Sequence, residues 1–167
     1  MSDQFVVGID FATTRIDVAL LPWNGGSVYG ARWIHVALRG TGARGEMRWF
    51  YACLRVPEGL SERIDWRLVH MCAIELPVGP GSRRLLPLMG AITHAIPPSA
   101  APAPIAPQEW KRLFCGDGHA SKVDVADKAR GLGFPPDWPQ DAYDALGIAW
   151  AWRIRAREAV AAVGERA

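Results

Sequence analysis

The segment Gln4–Gly26, QFVVGIDFATTRIDVALLPWNGG, consists of two apolar runs separated by a short polar turn. Both runs are rich in Val, Ile and Leu and have the length of short strands. The small and polar residues Ala12–Arg15 between them, and the glycines that follow, are typical of turns. The segment therefore predicts two strands joined by a tight turn, with Asp10 directly after the buried run Phe5–Ile9 of the first strand.

The rest of the chain alternates further strands with helices. We predict a third strand at Gly30–Leu38, a buried strand over the apolar run Leu68–Ile74, and a short edge strand in the segment APIAP, residues 103–107. Helical spacing predicts helices at Gly42–Leu54 (ending near Pro57), Ser82–Ile96, Gln108–Phe114, Lys122–Leu132 and, finally, after the Pro-rich turn. This order predicts an α/β fold with a mixed five-stranded sheet and helices on both faces.

Length and composition are those of one globular domain. The chain has 167 residues, of which 50% are apolar and 22% charged, so we expect a single domain over residues 1–167. The net charge of +2 permits nucleic-acid binding without requiring it. The three cysteines lack metal-type spacing, and their odd number favours a reducing, cytoplasmic setting over a disulfide framework. Neither a signal peptide nor a membrane-spanning segment is predicted.

Two aspartates, Asp141 and Asp144, lie in the otherwise apolar C-terminal segment WPQDAYDALGIAWAW. Capping does not require them, because Asp137 with Gln140 has the spacing of a capping box. At 100° per residue Asp141 is in line with Ile148, so both carboxylates extend the stripe that faces the core. The same helical phase predicts outward-facing positions for four residues: Tyr143, Trp150, Arg153 and Arg157. Charges that point inward are costly unless a cation lies between them, which makes a metal ion the simplest explanation.

Four carboxylates are therefore candidates for one site. Glu75 ends the buried run Leu68–Ile74 as Asp10 ends the first strand, and ligands collect at the carboxyl ends of strands in open α/β sheets. With Asp141 and Asp144 these residues form a set of oxygen donors without His or Cys partners, which suits Mg²⁺, or Mn²⁺ in its place. Two such ions can support phosphodiester hydrolysis.

The acidic residues lie in motifs that resemble those of the RuvC-type Holliday-junction resolvases, members of the ribonuclease H-like superfamily. The first strand ends in G-I-D within VVGIDFATT, the second acid ends the strand CAIEL, and the C-terminal helix contains DAYDALGIA. The segment PQEWKRLFCGDGHASK fits the family pattern V-K-x-x-x-x-G-x-G-x-A-x-K and keeps both lysines, although Trp110 replaces the usual aliphatic residue. The resemblance covers essentially the whole chain, in family order.

The resemblance implies a single RuvC-like nuclease domain that resolves four-way DNA junctions by paired nicks. Asp10, Glu75, Asp141 and Asp144 would hold two Mg²⁺ ions, and Lys111 and Lys122 would face the scissile phosphate. No other cofactor is expected. The DNA contacts would come from Arg83, Arg84, Lys111, Arg112, Gly116, Gly118 and Lys122, whereas His119 is interpreted as a loop residue. A symmetric homodimer is expected, and its candidate surface is the apolar stripe of the helix Ser82–Ile96 formed by Leu85, Met89, Ile92 and Ile96.

Two other readings remain open at this point. A relaxed nuclease of the same superfamily could act on flaps, other branched DNA or ordinary duplex. A departure from the family pattern favours this alternative, because the family's aromatic residue shortly after the second acid is missing from LPVGPGS, where Val78 stands. GIDFATT also resembles the first phosphate loop of actin-like ATPases, a remote alternative because those proteins need a longer, duplicated chain with a second glycine-rich loop.

Overall fold

The two apolar runs at the start of the chain form an antiparallel hairpin, as predicted. Its strands are β1, Phe5–Ala12, and β2, Arg15–Pro22. The computed structural model describes residues 4–24, 30–38 and 46–164, with the side chains of 46–52 and 163–164 excepted. Residues of β1 alternate between two apolar cores, because Val7 and Ile9 face one side of the sheet and Val6 faces the other.

The hairpin lies within a mixed sheet. Within the described ranges the remaining strands are β3, Arg32–Ala37, β4, Val69–Glu75, and β5, Pro102–Ile105, and the order is β3-β2-β1-β4-β5. β3 pairs antiparallel to β2, whereas β4 runs parallel to both β1 and β5. The short proline-containing β5 lies at an edge, where a missing N–H is tolerated. The predicted mixed five-stranded sheet is confirmed.

Helices cover both faces of this sheet, also as predicted. They are α1, Glu46–Ser61; α2, Ser82–Ala95; α3, Pro107–Cys115; α4, Lys122–Gly131; and α5, Gln140–Gly164. Buried residues of α1 and α2 pack with one face of the sheet, and buried residues of α3, α4 and α5 pack with the other. Among the described residues, none of the helices combines the length and the apolar character needed to cross a membrane.

The largest difference from the predicted helix bounds is at the end of α1, whereas the bounds of α2, α3 and α4 lie within one residue of the predicted ones. α1 continues through Pro57 to Ser61, because Val56 and Leu60 are fully buried and their burial outweighs the hydrogen bond that proline removes. The predicted start of this helix at Gly42 falls outside the described residues. α2 includes Ser82 as its first residue, and Gly81, with φ +92°, precedes it in place of a side-chain cap.

The predicted cap of α5 is wrong. The helix begins at Gln140, and the carbonyl of Pro139 accepts from the N–H groups of Ala142 and Tyr143. Asp137 is therefore too far upstream to be the N-cap. The Gln140 side chain does not complete a capping box but donates to Asp144 Oδ1 at 3.0 Å.

The outward-facing positions predicted on α5 are only partly correct, since Arg157 alone is exposed. Tyr143 is buried and donates its hydroxyl to the Pro135 carbonyl, and Arg153 is buried and donates to the Pro22 carbonyl. Trp150 is half-buried between Phe114 and Phe134. Because α3, α4 and the loop before α5 cover the outer side of this helix, a one-sided periodicity does not describe it.

Candidate active site

A close contact between β1 and α5 determines where the site lies. A Cβ atom added to Gly8 would lie 2.1 Å from the backbone oxygen of Ala145 and 2.4 Å from the backbone nitrogen of Ala149. The helix therefore rests directly on the strand at Gly8, as only glycine allows. Asp10 lies two residues further along the same face of β1, and Asp141 and Asp144 lie within the turn of α5 that precedes Ala145.

Three of the predicted carboxylates meet at this point. Asp10, Asp141 and Asp144 each offer a carboxylate oxygen, and the three oxygens lie within 4.8 Å of one another. Asp10 comes from the sheet and the two aspartates from one turn of helix, as the sequence predicts. The Asp141 side chain is 26% exposed and that of Asp144 13%, so the cluster is partly shielded but open to solvent.

Glu75 lies beside this cluster on the neighbouring strand. Parallel pairing of Ile9 with Ile74 places Asp10 and Glu75 at adjacent positions immediately beyond it. Glu75 Oε2 accepts a hydrogen bond from Trp110 Nε1 at 2.7 Å. Glu75 is not within the 4.8 Å group, but its charge raises the pKa of Asp10, and the charge of Asp144 raises the pKa of Glu75.

The proximity of these acids makes their ionisation unfavourable. Burial, then the charges of Glu75, Asp144 and Asp141, raise the pKa of Asp10 to about 7. Burial also raises the pKa of Glu75 against the opposing hydrogen bond from Trp110, and it raises the pKa of Asp144 against the hydrogen bond from Gln140. A divalent cation would relieve the repulsion, and an all-oxygen donor set suits Mg²⁺ or Mn²⁺.

Both motif lysines lie next to the acids. Lys122 Nζ is 3.9 Å from Asp144 Oδ2, on a side chain that is 68% exposed at the start of α4. Lys111, on α3, donates to the Ala120 carbonyl at 2.8 Å, and its charge lowers the pKa of Glu75 and of Asp144. The lysines thus add positive charge to the rim of the acidic cluster.

Arg15 also belongs to the site, although sequence reasoning missed it. Its Nη2 pairs with Asp141 Oδ1 and its Nε donates to Asp17 Oδ2 at 2.9 Å. Asp17 is 1% exposed and also contacts Trp33 Nε1 and His35 Nδ1 through Oδ1. Both oxygens of Asp17 are therefore engaged by neighbouring side chains, and Asp17 is not part of the 4.8 Å group. The pairing of Asp10 with Asp17 in the hairpin is the signal from which the position of Arg15 at the site could have been predicted.

Besides the two lysines, the residues expected to contact DNA are three arginines and two glycines. Arg83 and Arg84 are exposed at the start of α2, and Arg112 is exposed on α3. The glycines have local structural roles: Gly116, with φ +87°, ends α3, and a Cβ on Gly118 would lie 2.8 Å from the Gln108 carbonyl oxygen. His119 is exposed in the same loop, and its backbone N–H donates to Asp117.

Comparison of the sequence with protein-family models finds no match, and comparison with curated proteins finds none either. The structure resembles that of RuvC from Thermus thermophilus, with a TM-score of 0.66 and 24% sequence identity over 93% of this chain and 97% of that one. It also resembles T. thermophilus RuvC in complex with a Holliday junction substrate, with a TM-score of 0.64 and 22% identity over 93% and 96% of the two chains. At this level of identity the likeness establishes architecture, and the chain has the ribonuclease H-like fold of RuvC.

Proposed function

We propose that this protein is a metal-dependent endodeoxyribonuclease that resolves four-way DNA junctions by paired nicks. The observation that carries the proposal is the cluster of Asp10, Asp141 and Asp144, with Glu75 beside it, at the carboxyl ends of the central strands. Three acids within 4.8 Å and an Asp10 pKa near 7 favour a bound cation over a purely structural role.

Asp10, Glu75, Asp141 and Asp144 are the residues that would hold two Mg²⁺ ions, with Mn²⁺ able to substitute. When bound, a metal pair supplies an activated water and stabilises the leaving oxygen in phosphodiester hydrolysis. Gln140 donates to Asp144, Trp110 donates to Glu75 and Arg15 pairs with Asp141, so neighbouring donors already contact three of the four carboxylates.

Lys111 and Lys122 would face the scissile phosphate. Lys122 is exposed and 3.9 Å from Asp144, so its ammonium group can reach a phosphate held at the acids. Lys111 is held by the Ala120 carbonyl, which gives its charge a defined position. Positive groups fixed in this way stabilise charge that develops in the transition state.

Branched DNA is the proposed substrate class. One of the similar structures is RuvC in complex with a Holliday junction substrate, and this chain shares that fold over 93% of its length. Exposed Arg83, Arg84 and Arg112, with the two lysines, provide phosphate contacts that position DNA without reading its sequence. Two copies related by a two-fold axis would match the symmetry of a junction.

A cleavage assay on four-way junction, fork, flap and linear duplex, with Mg²⁺ or with chelator, tests the proposal. We expect paired, symmetric nicks in the junction, no cleavage in chelator, and no cleavage by Asp144→Asn. Asp127→Asn is the matched control, because Asp127 is an exposed aspartate on α4 that pairs with Arg130. Normal cleavage by Asp144→Asn would contradict the metal site.

A relaxed nuclease is the second candidate. Val78, which is 60% exposed in the loop after β4, stands where the resemblance expects an aromatic residue that could enter the junction. Equal cleavage of junction and linear duplex in the same assay would favour this candidate over a junction resolvase.

A further inference from the structure

Trp110 makes a specific contact with the acidic site through its indole N–H. Nε1 donates to Glu75 Oε2 at 2.7 Å, and the Trp110 side chain is almost completely buried, with 1% exposure. An indole is a donor only and carries no charge at any physiological pH. The contact therefore orients the carboxylate without adding a cation that could compete with a metal ion.

The surrounding packing fixes the position of the indole. Gly147 of α5 lies directly against it, since a Cβ on this glycine would lie 2.6 Å from Trp110 Cζ3 and 2.9 Å from Cε3. On another side, Lys111 Nζ lies 5.7 Å from the ring centroid. The ring thus occupies the space that a side chain at position 147 would need. The indole N–H reaches Glu75 from the protein interior.

The contact leaves the carboxylate able to bind a cation. Oε2 is held by the indole, so Glu75 can offer its other oxygen to a metal without losing the hydrogen bond. Hydrogen bonds of this kind, from a neighbouring group to a metal-binding carboxylate, set its orientation and its strength as a ligand. The aliphatic residue that the resemblance expects at position 110 has no donor for this purpose.

We propose that Trp110 is a positioning residue, which acts through Glu75 to hold this carboxylate in the orientation that binds the metal. The inference rests on the proposed function only in that Glu75 is a metal ligand. It adds that the tryptophan at position 110 and the glycine at position 147 form one unit, in which the glycine makes room for the indole.

The first test measures metal affinity without DNA. Calorimetric titration of the full chain with Mg²⁺ or Mn²⁺ should give a 10- to 100-fold weaker affinity for Trp110→Phe than for the wild type, the effect typical of such neighbouring contacts. Trp150→Phe is the matched control, because Trp150 packs against Phe114 and Phe134 near the same helices and should leave the affinity unchanged. Wild-type affinity in a folded Trp110→Phe would overturn the inference.

The second test uses the unmodified protein. With ¹⁵N-labelled tryptophan, the Trp110 indole resonance should shift during the metal titration and saturate with the same affinity, whereas that of Trp150 should not follow it. The resonance is assigned from Trp110→Phe or, if that variant does not fold, from contacts to Gly147. A tryptophan with a merely structural role would not respond to metal binding. A Trp110 indole resonance that bound metal leaves unshifted would therefore overturn the inference.

Gly147→Ala supplies a third, independent variant, because it displaces the indole and keeps its N–H. It should weaken metal binding as Trp110→Phe does, and unchanged affinity would count against the coupling of the two residues. Failure of the proposed function gives a different pattern: metal binds with the predicted Trp110 dependence, but no DNA is cleaved. Absence of metal binding to the wild-type chain would overturn both.

Discussion

Burial and the neighbouring acids make the charge of Asp10 unfavourable in the metal-free protein. Its folded pKa of about 7 lies above the ordinary value of 3.8, so the folded chain keeps a proton that the unfolded chain releases. The contribution of Asp10 to the free energy of unfolding therefore falls as the pH rises from about 4 to about 7, and it levels off above. A shift of this size corresponds to at most about 4 kcal/mol.

Asp10→Asn should remove the part of the pH dependence that Asp10 contributes, because the amide does not ionise. In chelator, the variant should be more stable than the wild type at pH 8 and close to it at pH 4, as measured by thermal or denaturant unfolding. Added Mg²⁺ should stabilise the wild type more than the variant. A difference between the two proteins that does not change with pH would contradict the proposed cause.

The two motif lysines should differ in what their removal does to stability. Lys122→Ala should lower turnover by about 10²-fold with little change in melting temperature, because Lys122 is largely exposed. Lys111→Ala should lower both the turnover and the melting temperature, because Lys111 also donates a hydrogen bond to the Ala120 carbonyl. Lys128 is the third lysine of the sequence and lies exposed on α4, so Lys128→Ala is the control.

These variants are compared by single-turnover cleavage of a four-way junction and by junction binding without cleavage. Affinity should change much less than turnover, since phosphate contacts are spread over many residues. Equal losses in binding and turnover for Lys122→Ala would reduce this lysine to an ordinary phosphate contact.

At the residue scale, the placement of three acids could be predicted from the sequence. Asp10, Asp141 and Asp144 follow from strand ends and helical phase, and the structure brings them together. The partners of these acids could not be found in the same way. Arg15 reaches Asp141 from β2 and Trp110 reaches Glu75 from α3, so both contacts form only when the helices pack on the sheet.

At the scale of elements, the types of helices and strands were more predictable than their ends. The strand periodicity of β1 and β2 and the edge position of β5 are local properties, and the structure has them as predicted. The outer side of α5 was misjudged because three other parts of the chain cover it, which no periodicity within the helix reveals. The predicted start of α5 was wrong because the Pro139 carbonyl, rather than the Asp137 side chain, accepts hydrogen bonds from the first N–H groups of the helix.

Gly8 is the point at which strand and helix must meet for the site to form. Gly8→Ala would place a methyl group against the backbone of α5 at Ala145 and Ala149, neither of which can move without displacing the helix. We expect a loss of about 3 kcal/mol or more in the free energy of unfolding, the upper range for overpacking. If part of the Gly8→Ala protein still folds, its metal affinity should fall as well, because a displaced helix would change the distance between Asp10 and Asp141.

Gly131→Ala is the matched control for this substitution. A Cβ on Gly131, at the end of α4, would have no atom within 4 Å, so stability and metal binding should stay close to those of the wild type. Denaturant unfolding and calorimetric metal titration of both variants give the comparison. A Gly8→Ala protein as stable as Gly131→Ala would show that the helix does not depend on this contact.

At the scale of the whole molecule, α2 is the element that we propose for dimerisation. The stripe predicted for this role was too wide, since Ile92 and Ile96 are buried within the chain itself. Leu85 and Met89 remain half-buried, and Leu86 is 49% exposed beside them. A Cβ on Gly90 would have no atom within 4 Å, so one side of the helix leaves room for close approach of a second copy.

A dimer through this face would present two acidic sites related by a two-fold axis, as paired nicking of a four-way junction requires. We expect sedimentation at micromolar concentration to give a dimer, and Leu86→Glu to give a monomer because it places a charge in the contact. Val160→Glu is the control, since Val160 is an even more exposed apolar residue near the end of α5, at 66% exposure, and the dimer should persist. The monomeric Leu86→Glu should still bind metal, because α2 provides none of the carboxylates, but it should nick junctions singly and without symmetry.

If Leu86→Glu sediments as a dimer, the subunits must associate through a different face. If the wild type is a monomer even with junction bound, the two sites cannot act as a pair, and single nicking by a relaxed nuclease becomes the better description.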